Sequence, residues 1–191
     1  MTIALPHIDR RWTLFLDRDG VINVERPDDY VRCWEQFVFY EDVLPALRDF
    51  AKQFGTILMV TNQRGVAKGV MSLRDLEDIH LHMTEAITAA GGRLDRIYCC
   101  TDMEAESPCR KPNTGMGLAA QKDFPQLDFS RALIIGNNLS DMEFGKRLGM
   151  YTCLLQTTHP ELDDTHPLVD MAFPHLSDLI NALRWARLPG G

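Results

Sequence analysis

Short apolar runs recur along the chain, with amphipathic stretches between them. Trp12 to Leu16, Thr56 to Val60, Leu94 to Cys100, Ala132 to Ile135 and Tyr151 to Leu155 are too short for helices. They also lack regular polar alternation, a pattern that suits strands buried on both faces. Between the first two, Glu41 to Phe54 carries Val43, Leu44, Leu47, Phe50, Ala51 and Phe54 at helical spacing, and Gly55 follows as a stop. Ser72-Leu73-Arg74-Asp75 opens a second helix like a capping box, with Leu76, Ile79, Met83, Ala86, Ile87 and Ala90 as its apolar stripe up to Gly91-Gly92.

The later part of the chain repeats the theme. Asn113 or Thr114 caps a predicted helix reaching about Asp123, Met142 to Leu148 predicts another that stops at Gly149, and Ser177 to Arg187 a closing one. Met171 to Phe173 reads as a short edge strand, and Thr157 to Pro167, acidic and proline-containing, as loop. Residues 23 to 40 read as an irregular insertion beside the site, with Trp34, Phe37, Phe39 and Tyr40 forming a small satellite cluster. Strand and helix alternate throughout. The expected fold is therefore α/β, a Rossmann-like parallel sheet with helices on both faces, built as a single domain over residues 1–191.

Right-handed crossovers bring the C-terminal ends of all such strands to one edge, where open α/β sheets bind ligands. The strand ends here are polar: Asp17 and Asp19, Thr61 and Asn62, Arg110 and Lys111, Asn137 and Asp141. Asp17 and Asp19 are two residues apart and project to the same side in extended chain, an arrangement that favours a cation between them. Gly20 permits a sharp turn immediately after them. An EF-hand is excluded, because apolar Val21-Ile22 stands where further oxygen ligands would be needed. Acids, hydroxyl and amide groups, and cations on one edge predict a site for phosphate and a divalent metal.

Composition narrows the partners. With 191 residues, 45% hydrophobic and 25% charged, the chain can bury a sizeable core, and its net charge of −7 argues against nucleic acid or an acidic membrane surface. No run approaches the roughly 18 apolar residues of a membrane span, and no signal-like segment opens the chain, so a cytoplasmic location is expected. Five cysteines, an odd count, are expected to remain thiols or metal ligands, with Cys33 and Cys153 as packing residues. His80 and His82 do not share a helix face and are expected at the surface or satisfied by neighbours.

Asp17-Arg18-Asp19-Gly20-Val21-Ile22-Asn23, Val60-Thr61-Asn62-Gln63-Arg64-Gly65-Val66-Ala67-Lys68-Gly69, Cys109-Arg110-Lys111-Pro112 and Gly136-Asn137-Asn138-Leu139-Ser140-Asp141 resemble, in order, the motifs of the haloacid dehalogenase superfamily. Within it they are similar to the branch of small phosphatases that act on heptose 1,7-bisphosphate or histidinol phosphate. The resemblance spans Trp12 to about Leu155. It implies a Mg²⁺-dependent phosphomonoesterase acting on a small phosphorylated metabolite, a sugar bisphosphate before histidinol phosphate. It also implies a monomer. By the same resemblance Asp17 is the nucleophile and Asp19 the general acid and base. Asp17, Asp19 and Asn137 hold Mg²⁺, while Thr61, Asn62, Arg110 and Lys111 bind phosphate or substrate and Asp141 orients the loop.

This chain departs from that pattern in two places. Asn137 stands where the family usually has Asp, which removes one negative charge and predicts metal affinity weaker by about 10–100-fold. The family's zinc loop is degenerate: Cys99, Cys100 and Cys109 do not make a four-ligand set, so structural zinc is not expected. The loss at Asn137 leaves a second reading open, a weakly catalytic phosphate-binding or regulatory protein on the same fold.

Overall fold

The computed structural model describes residues 6–185. Six parallel strands form one sheet in the order β3-β2-β1-β4-β5-β6: β1 is Thr13–Leu16, β2 Thr56–Asn62, β3 Arg96–Cys100, β4 Ala132–Gly136, β5 Tyr151–Leu155 and β6 Met171–Phe173. The central strand β1 pairs with β2 from Thr13 opposite Thr56 and with β4 from Thr13 opposite Ala132. Five helices cover the sheet: α1 (Val43–Gln53), α2 (Leu73–Ala89), α3 (Gly115–Asp123), α4 (Leu139–Leu148) and α5 (Leu176–Trp185). This is the expected α/β architecture. The predicted end of the last helix, at Arg187, lies outside the described residues.

Alternate strand residues feed two cores, as the uninterrupted apolar runs require. Leu14, Leu16, Ile57, Met59, Leu133 and Ile135 pack with Leu47 and Phe50 of α1, Ile79 and Met83 of α2 and Leu179 of α5. Phe15, Leu58, Val60 and Ile134 face the other way, onto Met116 and Ala120 of α3 and Phe144 of α4. Full burial of side chains such as Phe50 and Phe144 contributes about 1.5–3 kcal/mol each.

Several boundaries differ from those read in the sequence. Strand β2 runs on to Asn62, so Thr61 and Asn62 belong to it rather than to the following loop. Helix α4 starts at Leu139 rather than Met142, because Asn138 is its cap and Asp141 closes a capping box onto the Asn138 backbone. Helix α1 begins at Val43, two residues later than the apolar spacing suggests, and Pro45 falls in its first turn, where a missing N–H breaks no helical bond. The 23–40 insertion is irregular apart from a 3-10 turn at Trp34–Gln36, but it is not a satellite. Val31 and Phe37 are buried in the larger core, with Trp34, Phe39 and Tyr40 packed against it. None of the helices among the described residues is long and apolar enough to cross a membrane.

Candidate active site

The C-terminal ends of β1, β2 and β4 open into a cavity of about 440 Å³. Asp17, Arg18, Asp19, Asn62, Arg110, Lys111, Asn137 and Asp141 line it, together with Glu25, Tyr30, Gln63 and Arg64. Of the residues predicted for the site, only Thr61 is absent from the wall. It is buried, and its Oγ1 accepts a 2.9 Å bond from Gln63 Nε2.

Lys111 is the hub. Its ammonium, buried with 1% of the side chain exposed, lies 3.0 Å from Asp17 Oδ1 and 2.6 Å from Asp141 Oδ1, and donates to the Val60 carbonyl at 2.7 Å. Burial alone would lower its pKa, but the two carboxylates outweigh that and raise it. Asn62 fixes the lysine's backbone in both directions, donating to the Lys111 carbonyl at 3.1 Å and accepting from its N–H at 3.0 Å. Asp141, equally buried, reaches Lys111 from the first turn of α4 while also closing that helix's cap. Gly136 permits this approach, since a Cβ there would meet Asp141 Cβ at 2.3 Å.

The two strand-end aspartates sit in different surroundings. Burial pushes the Asp17 carboxyl up to about 7; Lys111 opposes the rise, while Asp141 and Asp19 add to it. Asp19 goes the other way. Although burial works against ionisation, the Arg18 guanidinium and hydrogen bonds from Asn23, Arg18 and Gln63 hold its carboxyl below the usual range. Arg18 donates through Nη2 to both Asp19 oxygens, at 2.9 and 3.0 Å, and Gln63 Nε2 donates at 2.7 Å. On its far side, Arg18 Nη1 lies 3.4 Å from His80 Nε2. Burial, reinforced by Arg18, pushes the His80 pKa down to about 3, so the ring is neutral and can accept. His80 is thus a satisfied histidine. His82 stacks on Trp34 with ring centroids 5.4 Å apart.

Further out, Arg64 is exposed and Arg110 half-buried. Desolvation and then the Arg64 charge lower the Arg110 pKa, and both arginines line the cavity. Arg18, Asn23, Glu25, Gln63 and Arg64 are site residues that the sequence reading did not single out. Four of them, all but Glu25, stand inside the quoted motifs, and Arg18 and Gln63 are immediate neighbours of predicted site residues.

A magnesium ion fits this donor set. Asp17, the Asp19 backbone and the amide of Asn137 offer hard oxygen ligands, and the single ammonium of Lys111 is shared by two carboxylates, Asp17 and Asp141. The degenerate zinc loop is different. Cys100 and Cys109 are joined as a disulfide with Cα atoms 5.5 Å apart, which corrects the expectation that all five cysteines stay thiols or ligands. The loop that follows β3 returns Cys109 beside Cys100, with Asp102 next to both, while Cys99 stays a free thiol.

Comparison with known proteins agrees with this geometry. A family model described as HAD-hydrolase-like matches residues 108–179. A D-glycero-alpha-D-manno-heptose-1,7-bisphosphate 7-phosphatase from Burkholderia mallei is 40% identical over 151 residues, covering 74% of this chain and 78% of that protein. The D-glycero-beta-D-manno-heptose-1,7-bisphosphate 7-phosphatase of Escherichia coli K12 is 30% identical over 185 residues, covering 92% and 95%. Among solved structures, the D,D-heptose 1,7-bisphosphate phosphatase from B. bronchiseptica, complexed with magnesium and phosphate, superposes with a TM-score of 0.81 at 25% identity, covering 91% of this chain and 98% of that one. The chain belongs to the haloacid dehalogenase-like (HAD) hydrolases, among their small phosphatases.

Proposed function

We propose that the chain is a magnesium-dependent phosphomonoesterase that removes one phosphate from D-glycero-D-manno-heptose 1,7-bisphosphate or a closely similar sugar bisphosphate. The observation that carries this reading is Asp17 held by Lys111 in a cavity whose outer wall bears Arg64 and Arg110. One phosphate would meet Asp17; the other would meet the two arginines, which match a dianion in charge and fork geometry.

In the proposed reaction an Asp17 carboxylate oxygen attacks phosphorus and the bond to the sugar oxygen breaks, leaving an aspartyl-phosphate. Asp19 gives the departing oxygen a proton, then removes one from the water that hydrolyses the intermediate and frees Asp17. Arg18, Asn23 and Gln63 keep Asp19 ionised at rest, so in the proposed cycle it first takes the proton from the P–OH of the bound phosphate monoanion and then passes it to the departing oxygen. Asp17, the Asp19 backbone and Asn137 would hold Mg²⁺, which would supply positive charge to the reacting phosphate. Lys111 restrains the nucleophile, Asn62 fixes Lys111, Thr61 acts through Gln63, and Asp141 holds the lysine from behind.

Histidinol phosphate fits the cavity less well, because its ammonium would face two arginines. The test is phosphate release from both heptose 1,7-bisphosphate anomers and from histidinol phosphate, with ³¹P NMR to identify the phosphate lost. Mg²⁺-dependent turnover with the bisphosphates preferred is expected. Phosphate binding without release from any of them would instead favour the non-catalytic, phosphate-binding reading.

A further inference from the structure

Asn137 has a counterpart in Glu25, which lines the same cavity. Asn137, 3% exposed, donates through Nδ2 to Glu25 Oε2 at 2.7 Å and to Thr158 Oγ1 at 3.1 Å. An amide nitrogen has two hydrogens, and both are used here. Oδ1 accepts no hydrogen bond among the described residues, which leaves it as the side chain's available ligand atom.

Glu25 reaches this position through the turn that follows the two aspartates. Gly20 N donates to the Asn23 carbonyl at 2.8 Å, and Val24 N to the Val38 carbonyl at 2.8 Å, so the chain doubles back and returns Glu25 to the cavity. Gly20, at φ +80, lies against the same amide, since a Cβ there would fall 1.9 Å from Asn137 Nδ2. The orientation of an asparagine amide is ordinarily ambiguous, but a carboxylate and a hydroxyl as its two neighbours assign the nitrogen toward them. An aspartate at position 137 would instead set two carboxylates at hydrogen-bond distance.

We propose that Glu25 is a positioning residue for the divalent cation. It locks Asn137 with its oxygen toward the metal, and it supplies from the insertion the negative charge that asparagine lacks. The inference rests on the metal-dependent reading above. In this chain Glu25 and Asn137 act as a pair, 112 residues apart in sequence, doing what a lone aspartate would do.

The test is Mn²⁺ binding by titration calorimetry and electron paramagnetic resonance on the purified full chain, in four forms: wild type, Glu25→Gln, Asn137→Asp and the double variant. Thermal melts and near-ultraviolet circular dichroism would establish that each is folded. Glu25→Gln is expected to weaken Mn²⁺ by about tenfold or more beside Asn137. In the Asn137→Asp background the same change is expected to have little effect, or to tighten binding by relieving repulsion. No loss beside Asn137, or an equal loss in both backgrounds, overturns the proposal while leaving the phosphatase reading in place. A wild-type chain that binds no Mn²⁺ overturns both.

Discussion

Replacing Lys111 by methionine removes the charge at the hub and keeps most of the volume. The ammonium makes three close contacts, to Asp17 at 3.0 Å, Asp141 at 2.6 Å and the Val60 carbonyl at 2.7 Å. Removing one partner of a buried ionic cluster and leaving the others costs about 3–5 kcal/mol. That is a large fraction of the ~5–15 kcal/mol that holds an ordinary domain folded. The loss should depend on pH in a direction set by Asp17. Its carboxyl is raised from 3.8 to about 7 in the folded chain, so its proton stabilises the fold fully below about 4, and that contribution disappears as pH rises through 7. Below pH 7 Asp17 is largely neutral, and Lys111 then has one anionic partner fewer. The Lys111→Met penalty should therefore be larger at pH 8 than at pH 5.5. Urea denaturation of both proteins in excess chelator, at both pH values, measures it. A penalty under about 1 kcal/mol, or one equal at the two pH values, would refute the argument that Lys111 neutralises a buried acid pair.

Other outcomes follow from the same contacts. Asp17→Asn should reduce phosphate release by at least ~10⁴-fold with the fold retained, as expected for loss of a nucleophile, and wild-type turnover in that variant would remove Asp17 from the chemistry. Gly20→Ala places a Cβ on the Asn137 amide at a backbone angle side chains rarely adopt, so it should destabilise by about 1–3 kcal/mol and raise the magnesium concentration needed for half-maximal rate; denaturation and a magnesium titration check both. Thiol titration of the denatured chain should find three reactive cysteines before reduction and five after it, and five before reduction would remove the Cys100–Cys109 bond. Arg110→Ala should lower kcat/KM for a sugar bisphosphate by more than for the corresponding monophosphate, and an equal loss on both would separate Arg110 from the second phosphate.

The parallel sheet was legible because strands such as β1 and β4 carry adjacent apolar residues without polar alternation, so that neither of their faces suits water. Three of the four polar clusters were legible for the same reason, since they directly end or follow such a run, while Arg110 and Lys111 come only after the loop that follows β3. What lay hidden was partnership. Arg18 reads as an exposed charge between two acids, yet it is the largest of the fully buried side chains among the described residues, with Asp19 at its Nη2 and His80 at its Nη1. Gln63 carries no sequence mark of its link to Asp19, nor Thr61 of its burial at the end of β2, where its hydroxyl accepts from Gln63. The Glu25 and Asn137 contact joins the insertion to the end of β4, a distance no local pattern spans. The first turn of α4, Leu139-Ser140-Asp141, carries two polar residues and so lacks an apolar stripe; only the Asn138 and Asp141 cap marks its start.

That double duty of Asp141 has a consequence for how this protein can change over time. The carboxylate that begins a helix is also the one that steadies the lysine beside Asp17, the proposed nucleophile. Scaffold and reactivity at this corner therefore cannot drift apart: a replacement tolerated by the helix start would still be felt at phosphorus, and a tuning of the lysine would unsettle the helix.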